Sequence, residues 1–482
     1  MSYKKFTKDI WIIGLTNTII ALRGLILLPI ITKILGESNY GIWVQIIAIL
    51  PLVALMTTLG LPYTLVRFLA GEKDKKQFQD GFYSVMAITL CTTILLSSML
   101  FFGAARLSVF LQWPTNIIKI LAIITLFECV NFLFLHLFRA SQKINLYSFF
   151  ILLQTIGEIL FTVAAVLLGY GLSGAIVALL LVRIINFFIS GTLAVRQIGF
   201  ALPYFSKTKE YLRFGMPTIP GNISNWTVGF SDRYLIGYFL GLSFVAYYGP
   251  ACTLAGVMGF LGAPFSFLLP ATLSRLHSEG NIQDVKKYLS YSLKYFLAVA
   301  IPAFFGISIL SKKILLILST QNIADNGYFL VPLVTFGMLL YGIYGIIYLI
   351  LILEKKTLLV TNIWIAAALL NFALNYFFIS RIGIVASAII NLFTYAFIVS
   401  LTWHRSRKYL TFHIDWIFIQ KSVAASLAMS ACIFFVNPKG LMQILMSIVI
   451  GAIIYGSLLL LLKSFKQREL NFFKSLVTKK AS

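Results

Sequence analysis

Charged side chains are scarce in this chain. Only 11% of its 482 residues are Asp, Glu, Lys or Arg, and just 15 are acidic. Soluble domains average about 25% charged residues, so a water-facing surface for a chain of this length is excluded. With 60% hydrophobic residues and a mean hydropathy of +0.92, lipid must be the solvent for much of it. Cysteine and histidine are also few, at four each. Cys91, Cys129, Cys252 and Cys432 lie in apolar stretches, without metal-ligand spacing and outside any loop suited to a disulfide. His136, His277, His404 and His413 form no metal pattern either, so neither metal nor cofactor is expected. Long polar segments are missing. Each connection holds about twenty residues or fewer, which leaves no room for an extramembrane catalytic domain, and no phosphate-binding loop signals ATP drive. A cleavable signal is not expected at the N-terminus, where the apolar run is too long and contains Arg23.

What is present is a series of apolar runs. A bilayer-spanning helix needs about 20 apolar residues, and fourteen candidates fit: 10–33, 42–61, 82–104, 117–137, 148–168, 172–195, 213–239, 245–270, 289–310, 328–351, 358–379, 383–402, 417–436 and 441–462. The seventh is the least hydrophobic. The formal charge of +24 does not indicate nucleic acid, because the basic residues form no single patch. They alternate between rich and poor loops. With the N-terminus in the cytoplasm, 29 of the 39 Lys and Arg residues lie inside, 7 outside and 3 within helices. This asymmetry predicts a multi-pass protein with both termini cytoplasmic.

The chain also repeats itself at an offset of 208 residues. Thr16-Asn17 matches Ser224-Asn225, and Tyr40-Gly41 matches Tyr248-Gly249. Leu61-Pro62-x-Thr64-Leu65-x-Arg67 matches Leu269-Pro270-x-Thr272-Leu273-x-Arg275. Each unit holds six helices, an even number, so the repeats are parallel and suit alternating access around a central cavity. The expected organisation is an N-terminal lobe (1–205, helices 1–6), a C-terminal lobe (206–410, helices 7–12), helices 13 and 14 (411–463), and a basic amphipathic tail (464–482) on the inner leaflet. The fold class is therefore all-α integral membrane, with about fourteen transmembrane helices.

Three segments carry a family resemblance: ITKILGESNYGIW in the first loop, LGLPYTLVRFLAGE at the second inner loop, and RFGMPTIPGNISNWTVGFSDRYLIGYFLGLSFVAYYGPA at helix 7. They resemble the polysaccharide-exporter (Wzx-type flippase) branch of the multidrug/oligosaccharidyl-lipid/polysaccharide superfamily. The resemblance implies a two-lobed twelve-helix core plus two helices, residing in the bacterial inner membrane. It implies flipping of a polyprenyl-pyrophosphate-linked oligosaccharide, such as an O-antigen, capsule or exopolysaccharide repeat unit, to the outer leaflet. That lipid-linked oligosaccharide, membrane lipids and other polysaccharide-assembly proteins are then the expected partners. The alternatives are a MATE-like exporter of a small molecule and, less favoured, a membrane glycan polymerase or ligase, which would need a long outer loop bearing catalytic residues.

Charges inside a membrane helix cost about 2.5–3.5 kcal/mol on insertion scales, so each should face a cavity or a partner. Six stand deep in their helices: Arg23, Glu128, Glu158, Arg183, Asp232 and Arg233. Arg23 is the candidate for the carrier's pyrophosphate, since a guanidinium matches phosphate oxygens; the competing reading is an ion pair with a carboxylate on another helix. Arg183 has Glu158 and Glu128 as prospective partners, and a structural pair is as good a reading as substrate contact. On helix 7, Asn222, Asn225, Gly229 and Asp232 are spaced to share one face, read as cavity-lining beyond a bend at Pro217, Pro220 and Gly221. Asp232 and Arg233, being adjacent, should diverge by about 100° and not pair; Arg233 is expected to assist Arg23. Asn17 sits at the matching position of helix 1. Glu128, Glu158 and Asp232 are also the candidates for proton coupling. Trp226 is read as packing rather than glycan contact.

Overall fold

The computed structural model describes residues 3–465 apart from 73, together with 469; the side chains of 3–11, 13 and 21 fall outside the description. Of the tail expected at 464–482, only 464, 465 and 469 are described. Among the described residues the regular structure is entirely helical. The first part of the chain forms α1 (Tyr3–Leu35), α2 (Glu37–Thr58), α3 (Leu61–Leu69), α4 (Lys75–Phe102), α5 (Ala104–Leu111), α6 (Thr115–Ala140), α7 (Ile144–Leu167) and α8 (Gly171–Ile198). Then come α9 (Thr208–Gly215), α10 (Ile219–Leu240), α11 (Leu242–Ala255), α12 (Val257–Ser278), α13 (Ile282–Leu318) and α14 (Gln321–Gly327). The last are α15 (Leu330–Ile347), α16 (Leu349–Leu353), α17 (Thr357–Ile382), α18 (Ile384–Ser406), α19 (Trp416–Val436) and α20 (Leu441–Leu461).

Helices are what apolar runs must form in lipid, where no water can satisfy a stray amide or carbonyl. Thirteen spans among the described residues are long and apolar enough to cross a bilayer. The fourteenth expected span, the seventh in sequence, is α10. Its 22 residues reach about 33 Å, long enough to span, but its polar residues keep it off the hydropathy count. Its start also differs from the expected 213. A short 3-10 turn at Met216–Thr218 separates α9 from α10, and Pro220 sits in the first turn of α10, where its missing N–H is harmless. The prolines thus begin a helix instead of bending one.

Local signals fix other boundaries. The Asp74 side chain accepts from the Lys76 amide at 2.9 Å and caps α4. Asp415 accepts from the Phe418 amide at 3.0 Å and caps α19, satisfying amides that the first turn leaves open. The repeat motif folds differently in its two copies. After α2 the chain turns through Leu59 and Gly60, both at positive φ (50° and 72°), and α3 starts afresh at Leu61. The corresponding positions 267 and 268 are Phe and Leu, and α12 runs straight through them with Pro264 and Pro270 inside. The turn needs two consecutive residues at positive φ, and Gly60 supplies one of them without steric cost, whereas Leu268 at the matching position would bear that cost. Gly60 has a second reason to be glycine: a Cβ there would lie 2.3 Å from the Gly215 carbonyl oxygen.

By contacts the chain forms two compact units, 1–250 with 361–390, and 251–360 with 391–482. In the first, α7 packs on α1 and α8, and α6 packs on α4 and α8. One side-chain core joins Leu61, Leu65 and Leu69 of α3 to Leu133, Leu137 and Phe138 of α6. In the second, the 37-residue α13 is the central element, packed by α12, α15, α19 and α20. Its core gathers Leu289, Phe296 and Ala300 of α13 with Leu339 and Ile346 of α15.

Candidate functional site

Within the first unit the close packing of α1, α6, α7 and α8 brings four of the intramembrane charges together. Arg23 on α1 bonds through Nη1 to Glu158 Oε2 on α7. Glu158 Oε1 accepts from Arg183 Nη1 on α8. Arg183 Nε in turn donates to Glu128 Oε2 on α6. The four form a chain, Arg23–Glu158–Arg183–Glu128, of two cations and two anions. The inner members are almost sealed, with side-chain exposures of 1% for Glu158 and 3% for Arg183, whereas Glu128 is at 17% and Arg23 at 26%. A buried charge is tolerable only when paired and hydrogen-bonded, and here each is. Both partners expected for Arg183 are in place. For Arg23 the structure supplies the competing reading, a carboxylate on another helix, while leaving a quarter of its side chain open.

Neutral amides one turn away complete this network. Asn131, three residues beyond Glu128, donates to the Arg183 carbonyl at 2.9 Å. Gln154, four before Glu158, turns its amide oxygen to accept from the Arg183 guanidinium within 3.3 Å, and its amide nitrogen then faces the Asn186 side chain at 3.1 Å. These residues were not singled out from sequence, though their i, i+3 and i, i+4 spacing from the charges carried the signal.

A second polar cluster lies on α10. Asp232 is 1% exposed and accepts from the Tyr248 hydroxyl at 2.6 Å. Arg233 does not diverge from it as expected. Its amide donates to Asp232 Oδ1 at 2.8 Å, and its Nη1 lies 3.6 Å from the same oxygen. The reason is the reach of the arginine stem. The guanidinium folds back one turn, donates to the Gly229 carbonyl at 2.7 Å, and rests over the Phe230 ring at 4.8 Å. The 100° rule constrains Cβ directions, not the end of a four-bond side chain.

Gln45 of α2 holds this helix in register. Its amide nitrogen donates to the Arg233 carbonyl at 2.7 Å, its amide oxygen accepts from Trp113 at 2.7 Å, and its own carbonyl accepts from the Tyr234 hydroxyl. Trp226 donates to the Ala48 carbonyl at 2.7 Å and stacks with Phe230, so its indole is engaged in packing. Further along α10 the face is open. Asn225 is exposed and Asn222 half-buried, neither amide has a hydrogen-bond partner among the described residues, and a Cβ on Gly229 would meet nothing within 4 Å. Asn17 of α1 is likewise exposed. An exposed amide row in a membrane helix needs water, substrate or protein against it.

The comparisons agree with this architecture. Residues 6–277 match the family described as polysaccharide biosynthesis protein, and residues 217–377 match the MatE family. The probable low-salt glycan biosynthesis flippase Agl15 of Haloferax volcanii is 24% identical over 280 residues, 57% of this chain and 58% of that protein. The chain thus matches little more than half the length of that relative. The lipid II flippase MurJ in an inward closed conformation superposes with a TM-score of 0.77 at 18% identity, covering 96% of this chain and 99% of that one. An inward-facing multidrug resistance MATE transporter superposes with a TM-score of 0.67 at 14% identity, covering 80% and 94%.

Proposed function

Because the chain belongs to the polysaccharide biosynthesis protein family, within the multidrug/oligosaccharidyl-lipid/polysaccharide superfamily, we propose that it is a flippase. The cargo in this reading is a polyprenyl-pyrophosphate-linked oligosaccharide, carried from the inner to the outer leaflet by alternating access. The observation that carries the reading is Arg23. A guanidinium set in an apolar helix, held by one carboxylate and one-quarter open, is a reachable cation at membrane depth, suited to a phosphate group. Arg233 is the second cation, Asn17, Asn222 and Asn225 offer amides to the glycan, and Arg183 orients the first cluster. Glu128, Glu158 and Asp232 are proposed to carry the coupling proton, which replacement of all three by amides without loss of flux would exclude.

We further read 1–205 and 206–410 as the two repeats, with 411–463 as accessory helices and 464–482 as a tail on the inner leaflet. The Lys/Arg asymmetry supports a cytoplasmic membrane location, with both termini inside. A small-molecule exporter is the second reading, favoured by the MatE match over 217–377. The two are separated by loss of the gene. A flippase defect traps lipid-linked glycan in the inner leaflet, and its even distribution over both leaflets would leave the exporter reading standing.

A further inference from the structure

The ion-pair chain of the first unit has an asymmetry that the anion-binding reading does not itself require. Arg23 has one ionic partner, Glu158. Glu158 has two, Arg23 and Arg183. Arg183 has two carboxylates and also faces Gln154. The contact between Arg23 and Glu158 is therefore the end link of the chain, and the one at its more open end. Breaking it frees Arg23 completely, while Glu158 keeps a buried guanidinium. The link on the other side of Glu158 joins two nearly sealed side chains, 3% and 1% exposed, where a ligand has the least access. Arg23 also engages Glu158 through Nη1 only. A guanidinium carries five N–H donors, so Nε and Nη2 can take up a phosphate before Nη1 lets go.

We infer that Glu158 is a resident competitor for the anion site: a phosphate-bearing ligand binds by exchanging with Glu158 at Arg23, and Arg183 retains the released carboxylate. The inference rests on the flippase reading only for the identity of the ligand. It explains how a cation survives at membrane depth while no cargo is bound, since an unpaired one would be expelled or would collapse the site. It also confers selectivity. A ligand must outcompete a carboxylate already in place, which a multiply charged pyrophosphate can do and a neutral or singly charged molecule does poorly. Glu158 in this account is a positioning residue that sets the affinity threshold and does not touch the cargo.

The test uses the full-length protein in detergent micelles, with inorganic pyrophosphate as the probe. Glu158→Gln removes the competing charge and should tighten pyrophosphate binding about tenfold. Glu158→Asp keeps the charge but is one methylene shorter, and should give a smaller gain. Arg23→Gln should abolish binding in every background. A second readout is the rate at which phenylglyoxal modifies Arg23, expected to rise in Glu158→Gln and to fall when pyrophosphate is added. If Glu158→Gln does not fold, Glu158→Asp decides the matter. Unchanged or weaker pyrophosphate binding in the folded variants overturns the exchange. Tighter binding in a protein that moves no lipid-linked glycan would remove the proposed cargo and leave the exchange intact.

Discussion

Replacing Arg183 with Met puts the buried network to a quantitative test. The substitution fills a similar volume but deletes the cation that Glu158 and Glu128 share. Glu158 then keeps Arg23, Glu128 loses the cation it pairs with, and the cluster carries one uncompensated negative charge. Breaking a buried ion pair from one side costs about 3–5 kcal/mol. Glu128 retains 17% exposure, so part of its charge can still be hydrated, which points to the lower end, about 3 kcal/mol. At 1.4 kcal/mol per decade this is about a hundredfold in the folded-to-unfolded ratio. Adding Glu128→Gln removes the excess charge and leaves the pair of Arg23 and Glu158. The double variant should therefore recover about 1–3 kcal/mol relative to Arg183→Met alone. Reversible denaturation of the four proteins of this cycle, in one lipid-detergent mixture, reads both numbers. A loss below about 1 kcal/mol for Arg183→Met, or a double variant no more stable than the single one, would refute the claim that these charges act as one buried unit.

Other expectations follow from single positions. Gly60→Ala should destabilise the first unit by more than about 1 kcal/mol, because the new Cβ would sit 2.3 Å from the Gly215 oxygen at a φ of 72°; thermal melting checks this. Gly229→Ala meets nothing within 4 Å and should be neutral or mildly stabilising, as glycine is a poorer helix former by about 1 kcal/mol, while slowing transport if that face lines the cargo path. Asn222→Leu with Asn225→Leu should leave melting unchanged and reduce flux. Burial pushes the Asp415 carboxyl up, but the Phe418 amide and the Lys294 ammonium outweigh it and hold it below the ordinary carboxylate range. Its contribution to stability is thus present above about pH 4 and fades as the pH falls through the lowered value. The difference in melting temperature between the parent protein and Asp415→Asn should accordingly be constant near neutrality and vanish in acid.

The apolar runs made nearly all the spans legible, because in lipid a long apolar segment has almost no alternative to a helix. The carboxylate partners of Arg183 were legible too, since few anions exist at that depth. Three things were not. That Arg23 shares Glu158 with Arg183 depends on helices 135 residues apart in sequence, and spacing cannot reveal such a contact. The approach of Arg233 to Asp232 depends on a side-chain rotamer, which lies beyond any face-of-helix rule. The break before α3, absent from its counterpart in α12, lies where Leu59-Gly60 stands against Phe267-Leu268, just ahead of a motif that matches at five of seven positions. Closely similar motif text therefore has two backbones, set by the two residues ahead of it, where one copy has a glycine to share the left-handed turn and the other does not.

Transport itself gives the most direct measurement. The protein is reconstituted into liposomes that carry a fluorescent polyprenyl-pyrophosphate oligosaccharide, and a membrane-impermeant quencher reports the fraction in the outer leaflet over time. Rapid equilibration is expected with the parent protein, little or none with Arg23→Ala, and only partial activity with Arg23→Lys, whose point charge lacks the planar fork. Equal flipping by all three proteins would contradict the role given to Arg23.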